Sequence, residues 1–239
     1  MKIRPLYVTF LSLILIADTM SATDTDSVLN QALYAFTQTQ SVNASIKRVQ
    51  KFKGSLRESA AAFRYDRSLG ASYIYTTPSK LQVLCTDTCL YSIDPEKRQG
   101  FRFSASPHNP LQYTDLDPLN RFFVFFSSET AFTFTGSIDS MNIYHHIDTA
   151  TGKPDISAGI DRYTKRLNLL EFFDTNACML QQIQFTYSSN QLPEIAVTRS
   201  LLGGELLIDS LTIKYKKVDN NLSQNYFTVP DNITWFAAK

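Results

Sequence analysis

The sequence predicts a mainly β protein built on one antiparallel sheet, and three observations carry that prediction. Residues 63–95, FRYDRSLGASYIYTTPSKLQVLCTDTCLYSIDP, contain strand-like runs at 63–65, 72–75 and 81–84, separated by polar turns at 66–70 and 76–80. Beyond residue 130 further short runs follow at 131–135, 141–147, 165–173, 179–187, 194–200 and 205–218. Turn signals separate them at 136–137, 150–155, 174–177, 188–193 and 203–204. Composition is the third observation: 44% hydrophobic against 19% charged residues supports a large core and excludes wholesale disorder. Aromatics reach 13%, with Phe 17 and Tyr 12 against Trp 1, which points to an aromatic-lined cavity or a broad two-sided sheet. No repeat, low-complexity tract or linker divides the 239 residues, a length that one β-barrel or sandwich can fill.

The chain opens with MKIRPLYVTFLSLILIADTMSA, where Lys2 and Arg4 precede an apolar run at 6–17 and the small residues Ser21-Ala22. Residues 1–22 therefore read as a cleaved signal peptide, with an uncleaved signal anchor as the rival, and 23–239 as a single exported domain. The apolar run is shorter than the ~20 residues that a membrane span requires. No cysteine stands near the cleavage position to accept a lipid anchor. Removing the leader takes away Lys2, Arg4 and Asp18 and leaves acidic and basic residues balanced, which argues against nucleic-acid binding.

Asp26 and Ser27 can cap a helix whose stripe is Val28, Leu29, Ala32, Leu33 and Phe36. Residues 44–52 alternate as a rather polar strand, and 55–62 lead into the central meander. There Tyr73 and Tyr75 share one face of a strand, as do Leu81 and Val83 on the next, because side chains alternate with period two. Cys85 and Cys89 flank a three-residue turn, and a hairpin disulfide is expected in an oxidising compartment. A metal pair would need further ligands, and a redox-active pair normally has a tighter spacing ahead of a helix. Cys178 reads as a buried or partly buried free thiol.

Residues 100–103 form another strand-like run, and 106–115 read as a loop. Asp117-Pro118 has the signature of a helix start, and Leu119, Phe122, Phe123 and Phe126 follow at helical spacing. A short helix so rich in phenylalanine gains stability by lying on an apolar surface, so it is a candidate lid. NYFTVP, at 225–230, reads as a last strand.

No catalytic constellation stands out. His145-His146 lie side by side in an expected strand and point to opposite faces, so they cannot share a metal. No G-x-S-x-G elbow, H-E-x-x-H helix or glycine-rich phosphate loop occurs. Asp115 with Asp117, or Asp155 with Asp161, are the carboxylate pairs available for hydrolysis. Neither a metal nor a cofactor is expected.

The order of these features resembles the LolA family of periplasmic outer-membrane lipoprotein carriers. The resemblance rests on the leader without an anchor cysteine, the amphipathic helix, QSVNASIKRVQ, the stretch 63–95 and the closing NYFTVPD. Within it Arg67, Tyr73, Tyr75, Pro78, 81–85, Tyr91 and Asp94-Pro95 occupy positions similar to the family's basic residue, aromatic strand, proline, strand, aromatic and Asn/Asp-Pro pair. Departures are Ser68 for a proline, Ala71 for an aromatic, and Thr86-Asp87-Thr88 for an Asp-Gly turn; 136–162 is longer or different.

The resemblance implies an unclosed, strongly curved antiparallel β-barrel (LolA/LolB-like) with a short helical lid. It implies a cavity that shelters lipoprotein acyl chains, lined by Tyr73, Tyr75, Leu81, Val83, Tyr91, Phe122, Phe123 and Phe126, and Arg67 holding the lid through backbone carbonyls. It further implies a monomeric periplasmic carrier without covalent chemistry or cofactor. Its partners would be acylated lipoproteins, an inner-membrane lipoprotein-release transporter and an outer-membrane acceptor. The alternatives are a LolA-like envelope sensor module and a secreted lipid or glycan hydrolase.

Overall fold

Alternating apolar and polar side chains, interrupted by tight turns, give fourteen strands that join one sheet in a computed structural model describing residues 22–86, 88–104, 132–188 and 190–237. Helix α1 (Ala22–Gln38) precedes β1 (Ser41–Phe52), β2 (Ser55–Asp66), β3 (Gly70–Thr77), β4 (Leu81–Cys85), β5 (Cys89–Asp94) and β6 (Gln99–Ser104). The second half comprises β7 (Thr133–Ile138), β8 (Met141–Ile147), β9 (Pro154–Asp161), β10 (Leu167–Phe173), β11 (Met179–Thr186), β12 (Ile195–Leu202) and β13 (Glu205–Val218). A 3₁₀ turn (Gln224–Phe227) and β14 (Thr234–Ala237) complete the chain.

The strand order is β14-β6-β5-β4-β3-β2-β1-β13-β12-β11-β10-β9-β8-β7. Each half of the chain is a meander of sequence neighbours, and the long-range pairing of β1 with β13 joins them, with Ile46 opposite Ile213. Every pairing is antiparallel except β14 with β6. The outermost strands β14 and β7 do not pair, so the sheet is unclosed, and it is curved, as the resemblance implies.

One face of the sheet, here called inner, shares a continuous apolar core with α1. Leu29, Ala32, Leu33 and Phe36 recur at helical spacing, are buried, and join Val42, Phe63, Tyr73 and Ile213 in that core. Phe36 is 1% exposed, with its ring 6.4 Å from that of Phe185 on the opposite half of the sheet. Burial of one such side chain contributes about 1.5–3 kcal/mol, so the stripe accounts for the docking of the helix. The helix begins upstream of the expected Asp26 cap.

The outer face has its own buried patch beneath the C-terminal segment. Ser72, Leu84 and Ile93 are at most 1% exposed. The Arg64 guanidinium lies 3.8 Å from the centre of the Tyr226 ring, and the Trp235 ring stands 5.5 Å from that of Tyr91. Gly100 leaves the space for Trp235: a Cβ there would meet the indole at 2.8 Å and the Ser92 carbonyl at 3.0 Å.

Four expectations are corrected. Cys178, expected to be buried or partly buried, is exposed in the β10–β11 turn. Residues 55–65 form one strand, β2, rather than two runs. Strand β9 occupies 154–161, where the sequence reading gives the end of a turn and assigns no strand. PDISAGID has low intrinsic strand preference, yet Ile156, Ser157, Ala158 and Ile160 are buried between β8 and β10, so tertiary context overrides local propensity. The expected strand at 225–230 is instead the 3₁₀ turn, and the pairing strand is β14 downstream. The Phe-rich helix expected after Asp117 and leader residues 1–21 lie outside the described residues.

Candidate functional site

Sheet register decides which predicted cavity residues meet. Tyr73 pairs with Phe63 on β2 and with Val83 on β4, and Tyr75 pairs with Leu81, so all of these side chains share the inner face. The Phe63 and Tyr73 rings are 4.9 Å apart, and those of Tyr73 and Tyr75 are 6.1 Å apart. Tyr73 and Val83 are fully buried, Tyr75 nearly so, and Leu81 is half-buried at the rim. Leu81 is thus where the closed core gives way to accessible apolar surface.

That surface is a cleft of about 690 Å³ lined by Leu81, Ser92, Asp94, Lys97, Gln99, Phe101 and Phe236. Phe101 pairs with Ser92 on β5 and with Phe236 on β14, and its ring is 5.8 Å from Phe236 and 6.5 Å from Phe103. Phe101 and Phe236 remain 46% and 42% exposed. An aromatic ledge at the open edge of a curved apolar sheet can receive hydrocarbon without any change in the buried core. Asp94 and Lys97 stand at its mouth as an ion pair at 3.1 Å. Backbone and side-chain hydrogen bonds from Lys97 hold the Asp94 carboxyl below the usual carboxylate range. Sequence reasoning placed 100–103 as a strand but did not assign Phe101 or Phe236 to a site; the alternation of QGFRFS was the available signal.

Tyr91 is corrected. It pairs with Leu84, not with Val83, and so lies on the outer face against Trp235, with the Arg102 guanidinium 5.7 Å from its ring. Its placement depends on the parity of the β4–β5 turn, which a one-residue change inverts. Burial, then the neighbouring Cys89 thiol, push its hydroxyl above the ordinary tyrosine value. Phe122, Phe123 and Phe126 lie outside the described residues.

The same register overturns the expected disulfide. Cys85 pairs with Leu90 and faces inward, whereas Cys89, one residue earlier, faces outward, and the two are separate buried thiols. Side chains on opposite faces of a hairpin cannot meet the geometry of an S–S bond. Cys89 instead accepts from Arg102, whose Nε and Nη2 lie 3.2 and 3.1 Å from Sγ. Burial opposes ionisation of this thiol, yet hydrogen bonds led by Arg102 hold it below its ordinary value.

Arg67 sits in the β2–β3 turn beneath the end of α1. Its Nη2 donates to the Thr37 carbonyl in the last helical turn, and its backbone N–H donates to the Gln40 carbonyl at 2.9 Å. One residue thereby ties the turn, the helix end and the entry to β1 together, satisfying carbonyls that a helix terminus leaves without intrahelical partners. The contacted helix is α1. Asp66 shapes the turn by accepting from the Ser68 N–H at 2.9 Å and the Ser68 hydroxyl at 2.7 Å.

A polar group on the inner face was missed. Arg48 follows Ala44 and Ile46 on the inward parity of β1 and is 4% exposed, bonded to the 9%-exposed Asp209 of β13. Thr198, opposite Asp209 on β12, and Gln181 on β11 are buried on the same face. The inward parity of Arg48 was legible; its partner was not.

The carboxylates proposed for hydrolysis do not converge. Asp155 bonds the His146 ring at 2.6 Å near one end of β9, while Asp161 ends the same strand in a turn, roughly 20 Å away along the strand. Asp115 and Asp117 lie outside the described residues.

No family model matches the chain, and no curated protein matches it. Solved structures do share its fold. A LolA superfamily protein from Nitrosomonas europaea aligns with TM-score 0.60 at 15% identity, covering 85% of this chain and 97% of its own. A DUF1329 family protein from Desulfovibrio piger aligns with TM-score 0.58 at 13% identity, covering 85% and 96%. A putative outer membrane lipoprotein-sorting protein domain from Vibrio parahaemolyticus aligns with TM-score 0.55 at 13% identity, covering 83% and 94%. The chain has a LolA-like fold.

Proposed function

We propose that this chain is a periplasmic carrier that takes up the acyl chains of lipoproteins and shuttles them from the inner to the outer membrane. The observation that carries this reading is the ledge of Leu81, Phe101 and Phe236, which continues the apolar inner face out to an open sheet edge. Each buried methylene contributes about 0.8 kcal/mol, so an acylated protein leaves a bilayer at a useful rate only if an apolar surface receives its chains. An edge that is open among the described residues also favours release. On this reading the donor is an inner-membrane lipoprotein-release transporter and the recipient an outer-membrane acceptor. No covalent step is required.

Native mass spectrometry of the protein recovered from the periplasm of expressing cells, with lipid extraction, tests it. Bound acylated protein or lipid is expected, displaceable by a fluorescent fatty acid and weakened in Phe101→Ser. A protein that arrives empty and takes up no fluorescent fatty acid overturns the reading.

A further inference from the structure

The alternation that makes a strand half-buried breaks down at one rim of the sheet. The hairpin between β12 and β13 reads LLGGELL over 201–207, with leucine on both faces. Leu201 pairs with Leu206, while Leu202 pairs with Glu205 on the other face. Leu201, Leu202 and Leu206 are 64%, 58% and 51% exposed. Neighbouring strand ends continue the pattern. Gln181 pairs with Ser200, which brings Leu180 alongside Leu201, and Ile208 pairs with Lys51, which pairs with the exposed Leu56. Apolar side chains from β11, β12 and β13 thus form one exposed row, which Lys51 on β1 separates from Leu56 on β2. Scattered leucines would need no explanation; a contiguous row on adjacent hairpin tips does.

The charge beside this row is basic. Lys51, Lys53 and Arg57 are exposed at the β1–β2 tip. Glu58 is engaged by Lys47 at 3.2 Å, and none of the three has a carboxylate partner among the described residues. Lys53 and Arg57 share a cleft of about 360 Å³ with Phe52, Leu202 and Leu207. Glu205 is the one carboxylate of the 201–207 tip.

The geometry points to this rim as a docking surface for an anionic phospholipid bilayer. Leucines that project from a tight hairpin on both faces match the acyl–headgroup boundary, and cations set beside them match lipid phosphates. Long lysine and arginine stems reach the phosphates while their methylenes lie among apolar groups. A second copy of the chain is a poorer occupant, because a two-fold contact would bring the patch, with its Lys51, Lys53 and Arg57, against its own copy. The surface is independent of what the inner face carries.

Fluorescence of L201W and L202W in the full chain tests the proposal, with the parent's Trp235 signal subtracted. Vesicles are pure phosphatidylcholine or equal parts phosphatidylcholine and phosphatidylglycerol. A blue shift and quenching by brominated acyl chains are expected on the anionic vesicles, weakened by salt. Replacing Lys51, Lys53 and Arg57 together by Gln lowers partitioning roughly a hundredfold, at about fivefold per residue, with an unchanged circular-dichroism spectrum. Indoles that stay water-like while the chain sediments with vesicles assign binding to another segment and overturn the proposal. So does equal binding to both vesicle types, or a blue shift without vesicles that accompanies a doubled mass, which would assign the rim to self-association.

Discussion

Arg48 on β1 and Asp209 on β13 form a buried ion pair on the inner face, with Arg48 Nε 3.0 Å from each carboxylate oxygen and Nη2 2.5 Å from one. The two strands are those that join the halves of the sheet. A buried pair of this kind recovers its desolvation cost only while both partners are present.

Removing one partner therefore destabilises more than removing both. Arg48→Met is expected to cost about 3–5 kcal/mol in urea unfolding, because it strands a carboxylate. Arg48→Met with Asp209→Leu is expected to recover most of that loss. A double variant as unstable as the single would show that packing, not charge, dominates the position.

Arg67→Leu leaves the Thr37 carbonyl without its guanidinium donor. A loss of about 1 kcal/mol is expected, with faster amide exchange confined to the last turn of α1. Exchange identical to the parent there would make Arg67 an ordinary turn residue.

Gly70 is held at φ +95°, and a Cβ there would lie 2.0 Å from the Cys85 carbonyl oxygen. Both the conformation and the β3–β4 contact forbid a side chain, so Gly70→Ala is expected to cost roughly 3 kcal/mol. Chemical denaturation with an unchanged midpoint would contradict this.

Ala177 presents the opposite case. It adopts φ +63° in the β10–β11 turn, a left-handed conformation that strains any residue with a Cβ. Ala177→Gly is expected to raise stability by about 1 kcal/mol, read as a higher melting temperature.

Asp161 Oδ1 accepts from the Thr164 N–H at 2.7 Å, the Tyr163 N–H at 3.0 Å and the Thr164 hydroxyl at 3.0 Å. These bonds, the Thr164 N–H first, hold its carboxyl below the ordinary range. A depressed folded-state pKa means that the stabilisation is complete above the unfolded value of about 4 and disappears as pH falls through the folded value. Asp161→Ala is thus expected to be less stable than the parent at neutral pH, with the difference closing in acid. A pH-independent difference would assign the loss to turn shape alone.

The sequence carried the strand runs, the α1 stripe from Leu29 to Phe36, and the shared face of Tyr73, Tyr75, Leu81 and Val83, because each depends on periodicity within a few residues. It also carried Gly203-Gly204 as a hairpin turn. It could not place Tyr91 or Cys89, whose faces depend on how many residues the β4–β5 turn contributes to the ladder. Strand β9 was hidden by weak local propensity, and it forms because β8 and β10 present hydrogen-bonding edges on both sides. Tertiary structure alone decided that Arg48 meets Asp209, 161 residues away in sequence, and that Phe101 meets Phe236 at the open edge. Local alternation dictates which side chains can share a face, but the ladder between distant strands decides which of them meet, and that ladder exists only once the chain has folded.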